Sequence, residues 1–178
     1  QALAFELLVP GDGSTDATLS ATLCRQLAQA AGASGMAGGQ AIDLAGVGQQ
    51  LDQASLEDMH RRKTGALLQA SVEMGGAAAG ASAAQLAALA RYGRALGLAF
   101  QVVDDILDVT ADSATLGKTA GKDAAADKPT FVSLLGLAAA QAYADDLLAQ
   151  AHQALDQAGL RQAAYLHAIA DWVVRRSH

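Results

Sequence analysis

Four polar side chains in the run Phe100-Gln101-Val102-Val103-Asp104-Asp105-Ile106-Leu107-Asp108 are spaced for chemistry. At 3.6 residues per turn, Gln101, Asp104, Asp105 and Asp108 fall at i, i+3, i+4 and i+7, which gathers one amide and three carboxylates on one face of a helix. The intervening Val102, Val103, Ile106, Leu107 and Val109 predict that the rest of this helix is buried. Like charges at that spacing repel, and no Lys or Arg lies within a turn to relieve them. A hard divalent cation does so, and an oxygen-only donor set selects Mg²⁺ or Ca²⁺ over Zn²⁺. Mg²⁺ commonly takes one or two carboxylates together with phosphate oxygens, which points to a phosphorylated substrate. A solvated acidic face is the plain alternative, and the apolar flanks argue against it.

Two cationic segments complement the carboxylates. Lys63, with Thr64 beside it, falls by helical angle in the middle of the stripe Leu56, Met59, Leu67, Ala70 and Met74. A lysine on an apolar face either snorkels outward or meets an anion, and an anion-rich cleft nearby favours the second. The loop Leu116-Gly117-Lys118-Thr119-Ala120-Gly121-Lys122-Asp123, followed by Lys128-Pro129-Thr130, sets glycine beside lysine, so that backbone can approach a phosphate while the lysine supplies charge. It lacks the spacing of a nucleotide-binding P-loop. Read in isolation it is an ordinary solvated loop, with Asp112, Asp123 and Asp127 balancing its lysines. Gln40 and Asp43, at i and i+3, either hydrogen-bond ligand water, which makes Gln40 a substrate-side residue, or satisfy a buried helix end.

Other candidates are weaker. His60, His152, His167 and His178 are dispersed and form no Glu-x-x-His pair, so a carboxylate di-iron bundle is not expected. Cys24 lies in the apolar-periodic run with Leu19, Leu23 and Leu27 and reads as a buried filler. One cysteine rules out an internal disulfide framework and suits a reducing, cytoplasmic setting. Arg175 and Arg176 read by default as surface cations at a helix C-terminus. The formal charge of −6, with basic residues scattered, excludes the basic patch of a nucleic-acid binder. No run is long and apolar enough for a membrane span, and no basic segment precedes the apolar opening residues as in a secretory signal.

The elements that must position these residues are helices. The chain is 52% hydrophobic but only 4% aromatic, rich in alanine, with two prolines among 178 residues, a composition that favours helix throughout. The periodicity predicts the end of a helix over 1–9, a turn over 10–16, and a helix from about 18 to 31 continuing with a bend to about 41. A helix start follows at 52–55, with Ser55-Leu56-Glu57-Asp58 read as a capping box, and that helix ends near Met74 at Gly75-Gly76. Further helices are expected from Ser82 to about Val109, from Pro129 as first helical residue to about Gln157, and from about Gln162 to Arg176, with a polar loop over 111–128. The glycine-rich stretch 32–39 reads as a helix crossing or break. No strand alternation and no fixed-period repeat is visible, so the fold class is all-α.

Taken together, Gly38-Gly39-Gln40-Ala41-Ile42-Asp43, His60-Arg61-Arg62-Lys63-Thr64-Gly65-Ala66, the run from Gly97 to Asp108, and Thr115-Leu116-Gly117-Lys118 resemble, in order and spacing, the bacterial farnesyl diphosphate synthases (geranyltranstransferases) of the trans-polyprenyl diphosphate synthase family. The resemblance covers essentially the whole chain. It implies an all-helical bundle of the isoprenoid synthase type around a deep cavity, a homodimer, Mg²⁺ as cofactor, and an allylic diphosphate and isopentenyl diphosphate as substrates. By motif, Asp104, Asp105 and Asp108 match the second aspartate-rich motif, with Asp104 the leading Mg²⁺ ligand. Gln101, Lys63, Thr64 and Lys118 match positions that touch the allylic diphosphate, and Lys128 resembles a further diphosphate-contacting lysine. Lys63, Asp104 and Lys118 are thereby the expected catalytic groups. Arg175 and Arg176 resemble a basic C-terminal end that helps close the site.

The family's first aspartate-rich motif and its paired arginines are not found in these residues. Residues 1–178 are therefore expected to be the C-terminal portion of a single polyprenyl synthase domain, lacking its N-terminal helices and with little turnover by itself. In the complete enzyme the resemblance implies ionisation of the allylic diphosphate between metals and lysines, attack by the double bond of isopentenyl diphosphate, and loss of a proton, the expected products being geranyl or farnesyl diphosphate. Two rivals stand beside this. A class I terpene cyclase shares the ionisation but adds no isopentenyl unit. A non-catalytic subunit or structural helical fragment would associate with a catalytic partner.

Overall fold

The computed structural model describes residues 1–110 and 129–176. Helices α1 (Ala2–Leu8), α2 (Ala17–Ala31) and α3 (Met36–Ala45) are followed by α4 (Gln53–His60). A π-helical turn (Arg61–Gly65) joins α4 to α5 (Ala66–Ala78), and α6 (Ala83–Thr110) follows. After the undescribed segment come α7 (Phe131–Leu135), α8 (Leu137–Ala158) and α9 (Ala164–Arg175). No strand occurs among the described residues, and no described helix is long and apolar enough to cross a membrane.

Helix α6, roughly 42 Å long at 1.5 Å per residue, is the axis. Helix α8 packs along it on one side and the rod of α4, π turn and α5 on another. Two apolar clusters fill the space. One gathers Leu56 and Met59 with Leu98, Val102, Val103, Phe131 and Leu147. The other gathers Leu89, Tyr92 and Leu96 with Leu148, Leu155, Ala170 and Val173. The first lies behind the aspartate-bearing half of α6, so the carboxylates sit on a helix whose back is anchored. The Tyr92 hydroxyl donates to the Leu166 carbonyl at 2.8 Å and ties α6 to the start of α9. Burial pushes that phenol up to about 12.

Several boundaries depart from expectation for identifiable reasons. Asp16 caps α2 by accepting from the Leu19 N–H at 2.9 Å, and the stretch 32–35 separates α2 from α3 instead of bending one helix. The capping box read at Ser55 does not form. Asp52 is the cap, accepting from the Ser55 N–H at 2.8 Å, and α4 starts at Gln53. The reciprocal pair occurs instead at Ser82 and Gln85, opening α6. Gly75-Gly76 does not end α5, which runs on to Ala78. Gly76 is there because a Cβ would come within 2.5 Å of the Leu89 side chain at the crossing with α6. Pro129 precedes Thr130, the true cap of α7, and Gly136, at φ 83°, divides α7 from α8. Cys24 is half-buried, not a core filler.

The π turn changes the site most. One extra residue in a helical turn rotates everything beyond it. A single 3.6-residue stripe from Leu56 to Met74 therefore does not exist: Leu56 and Met59 are fully buried, while α5 has no buried residue.

Candidate functional site

Glycines set how closely the elements approach. A Cβ on Gly39 would stand 2.2 Å from the Lys63 nitrogen, and one on Gly97 would stand 2.7 Å from the Gly65 Cα. Helix α3 and helix α6 are thus both in backbone contact with the π turn. Only glycine permits this, and the glycine-rich stretch 32–39 is both a break and a crossing.

That approach brings the polar residues of three elements together. The Lys63 ammonium donates to Asp43 of α3 at 2.7 Å, where Asp43 is 9% exposed. Lys63 therefore does not lie against an apolar stripe; it meets an anion, and that anion is Asp43. Thr64 is half-buried in the same turn, and Gln40 is half-buried one turn before Asp43 on α3. Next along the rod, the His60 Nδ1 lies 2.9 Å from Gln101 Oε1, and Gln101 Nε2 donates to Asp104 Oδ2 at 3.1 Å. The carboxylate fixes the amide, and the amide oxygen then requires a hydrogen on His60 Nδ1. Burial, aided by the nearby Lys63 charge and opposed by the Gln101 hydrogen bond and by Asp43, brings His60 down to about 4. The ring is neutral at pH 7, with Nε2 buried and unpartnered among the described residues.

The second oxygen of Asp104 is reached by Arg176, from 72 residues away. The guanidinium lies 4.0 Å over the Phe100 ring and donates to the Phe100 carbonyl at 3.1 Å. No cation lies within a turn of the carboxylates in sequence. The chain end supplies one in space, so Arg176 is 7% exposed and not a surface cation, whereas Arg175 is.

The aspartates do not share one environment. Successive helical residues point about 100° apart, and this splits the predicted face. Asp104 is exposed and Asp108, one turn on, is half-buried. Asp105 is 7% exposed and accepts the Phe131 N–H at 2.7 Å, anchoring the first turn of α7. Phe131 in turn lies against the His60 ring, with centroids 5.5 Å apart. Lys118 and Lys128 fall outside the described residues.

The donor set suits Mg²⁺. Asp104 and Asp108 are one turn apart, Asp104 is open to solvent, and all the available atoms are oxygens. Among the described residues no three metal-ligating side chains converge; Mg²⁺ commonly takes one or two carboxylates and completes its shell with water and phosphate oxygens. Cavities of about 550 and 620 Å³ elsewhere on the molecule are lined by none of these side chains.

Sequence reasoning missed His60 as a member of the site, although its position four residues after Leu56 marks it as inward-facing. It also read His152 and His167 as dispersed, whereas the antiparallel pairing of α8 and α9 brings them into contact.

Comparison with known proteins gives a consistent result. The family model described as polyprenyl synthetase matches residues 3–166. A protein of Sinorhizobium fredii named "Probable farnesyl diphosphate synthase" is 51% identical over 165 residues, covering 90% of this chain and 49% of its own length. The farnesyl diphosphate synthase of Escherichia coli is 41% identical over 181 residues, covering 99% of this chain and 60% of its own. A crystal structure of a geranyltransferase from Helicobacter pylori, complexed with magnesium and isoprenyl diphosphate, superposes with a TM-score of 0.76 at 32% identity, over 97% of this chain and 55% of the other. The chain thus spans about half the length of the curated relatives it matches.

Proposed function

Given that the chain belongs to the polyprenyl synthetase family, we propose that it carries the allylic-diphosphate half of a trans-prenyltransferase site. Asp104 and Asp108 hold Mg²⁺, and Lys63, Thr64 and Gln101 contact the diphosphate. The observation that carries this reading is the Asp104 carboxylate, open to solvent and oriented by the Gln101 amide at 3.1 Å, on the helix that the Lys63 turn touches at Gly97.

Each group has a task. Mg²⁺, when bound, neutralises diphosphate oxygens and so lowers the cost of the departing group. The Lys63 ammonium, steadied by Asp43, adds a fixed positive charge beside it, and the Thr64 hydroxyl donates to the same anion. Gln101 holds Asp104 in position and is itself held by neutral His60. Lys118 and Lys128 belong to this proposal as further diphosphate contacts, and Gln40 as a contact through ligand water. The allylic C–O bond breaks with its electron pair on the diphosphate. The double bond of isopentenyl diphosphate attacks the resulting carbocation, and a proton passes to the departed diphosphate to give the longer allylic product, geranyl or farnesyl diphosphate.

The 178 residues hold one aspartate-rich motif. Taken alone they are expected to bind the metal–diphosphate unit and to turn over little. A homodimer and a cytoplasmic location are parts of the same proposal.

The test is calorimetric titration of inorganic diphosphate, with and without Mg²⁺, into the chain and into Asp104→Ala, both first checked for helix content. Binding that requires Mg²⁺ and is lost in the variant supports the reading. Binding that ignores Mg²⁺, or that survives in the variant, overturns it.

A further inference from the structure

Histidines 152 and 167 are 15 residues apart in sequence, one on α8 and one on α9, and the turn at 159–163 folds the two helices against each other. Their Nδ1 atoms lie 2.6 Å apart, with the rings within 16° of parallel. Behind each ring stands a carboxylate. His152 Nε2 is 3.1 Å from Asp171 Oδ1, and His167 Nε2 is 3.5 Å from Asp156 Oδ1. Arg175 lies 3.8 Å from Asp171.

Hydrogen accounting defines what this arrangement holds. Two neutral imidazoles carry two N–H hydrogens between them. His152 Nε2–H donates to Asp171, which only accepts, and the Nδ1···Nδ1 contact takes the second hydrogen, while Asp156 stands farther off behind His167. With the shared hydrogen moved to His167 Nε2, both rings become Nε2–H tautomers with facing Nδ1 lone pairs. Each is then backed by an acceptor carboxylate, the outer arrangement that orients metal-bound histidines and raises their basicity.

We propose that His152 and His167 form a chelate for a borderline divalent transition metal of the Zn²⁺ class, the ion replacing the hydrogen shared by the two Nδ1 atoms. Two bonds of 2.0–2.1 Å at a tetrahedral angle need the nitrogens about 3.3 Å apart, so the pair opens by a fraction of an ångström. The side chains are 29% and 30% exposed, which leaves room for that movement and access for the ion. Asp171 and Asp156 stay in the outer shell, and water fills the remaining positions. No third metal-ligating side chain is poised at the pair among the described residues, so the site binds more weakly than a closed four-ligand zinc site. Nitrogen donors also separate it from the carboxylates of α6, because Mg²⁺ prefers oxygen. A bound ion would clasp α8 to α9, the helix that delivers Arg176 to Asp104.

The test is a calorimetric titration of Zn²⁺ into the whole chain in excess Mg²⁺, which keeps the α6 carboxylates occupied. One site per chain is expected, weakened at least about tenfold in His152→Ala and in His167→Ala, and unchanged in Asp104→Ala. A measurement on the unaltered protein guards against variants that fail to fold: in ¹⁵N imidazole spectra, Zn²⁺ is expected to shift both Nδ1 resonances, with the hydrogen of each ring on Nε2 in the bound form. The absence of saturable Zn²⁺ binding by folded protein, undiminished binding in folded histidine variants, or a metal shift at Nε2 instead of Nδ1 would each overturn the proposal.

Discussion

His60 is held neutral by its surroundings, and that has a sign and a size. Its folded-state value of about 4 lies below the 6.5 of an unperturbed histidine. Between those values the unfolded chain binds a proton that the folded chain refuses. Stability is therefore complete above about pH 6.5 and declines as pH falls toward 4, by about 3 kcal/mol over the window. Denaturant unfolding at pH 7, 5 and 4 should show this decline, and His60→Asn should flatten it. An equal decline in the variant would assign the effect to other groups. Asp104 and Asp105, adjacent in one motif, should also separate by experiment. Asp105→Ala strands the Phe131 N–H in a buried setting and should cost about 1–3 kcal/mol, with diphosphate binding weakened less than in Asp104→Ala. Asp104 is exposed and placed to meet the ion, so its removal should abolish Mg²⁺-dependent binding. A reversed order would mean that Asp105, not Asp104, faces the metal.

Positioning depends on helix contacts as much as on the charged groups. Gly39→Ala would drive a methyl into the Lys63 backbone, at 2.2 Å from its nitrogen and 2.6 Å from its Cα. Neither helix can yield without displacing the Lys63–Asp43 pair. The substitution should cost about 1–3 kcal/mol, as overpacking does, and weaken diphosphate binding, whereas alanine at exposed Gly75, where nothing lies within 4 Å, should do neither. Parallel calorimetry and thermal melts would show it. This contact also marks where sequence reasoning reached its limit. The all-α class, α6 and its polar positions were legible because hydrophobic periodicity and ligand spacing are local. The glycine-rich stretch was legible as a crossing, but not what it crosses. The π turn was invisible, since one inserted residue leaves composition unchanged while rotating α5 away from the predicted stripe. The contacts of Arg176 with Asp104 and of His152 with His167 were invisible for a related reason: each pairs residues on different helices, and helix-to-helix register is not written in the local pattern of either.

At the scale of the whole molecule, the two ends of the chain differ in how they are used. The C-terminal end folds back onto α6, where Arg176 is buried against Phe100 and Asp104. The N-terminal helix α1 has no buried residue, and Leu3 and Leu7, one turn apart on one face, are 63% and 70% exposed, with Val9 beyond them at 57%. Full burial of a leucine is worth about 1.5–3 kcal/mol, so this face gains from any apolar surface brought to it. A second copy of the chain is such a surface in a solution of these 178 residues, and the formal charge of −6 is modest opposition at physiological salt. Sedimentation velocity over a range of concentrations should therefore show self-association, and the double substitution Leu3→Glu with Leu7→Glu should shift the distribution toward monomer without loss of helix content. If association instead persists in that variant and is lost in Trp172→Glu, the contact lies on α9, where Tyr165, Ile169 and Trp172 form another exposed apolar stripe. A concentration-independent monomer would show that neither face is sticky enough to overcome the entropy of association, and that the exposed leucines of α1 are tolerated in water.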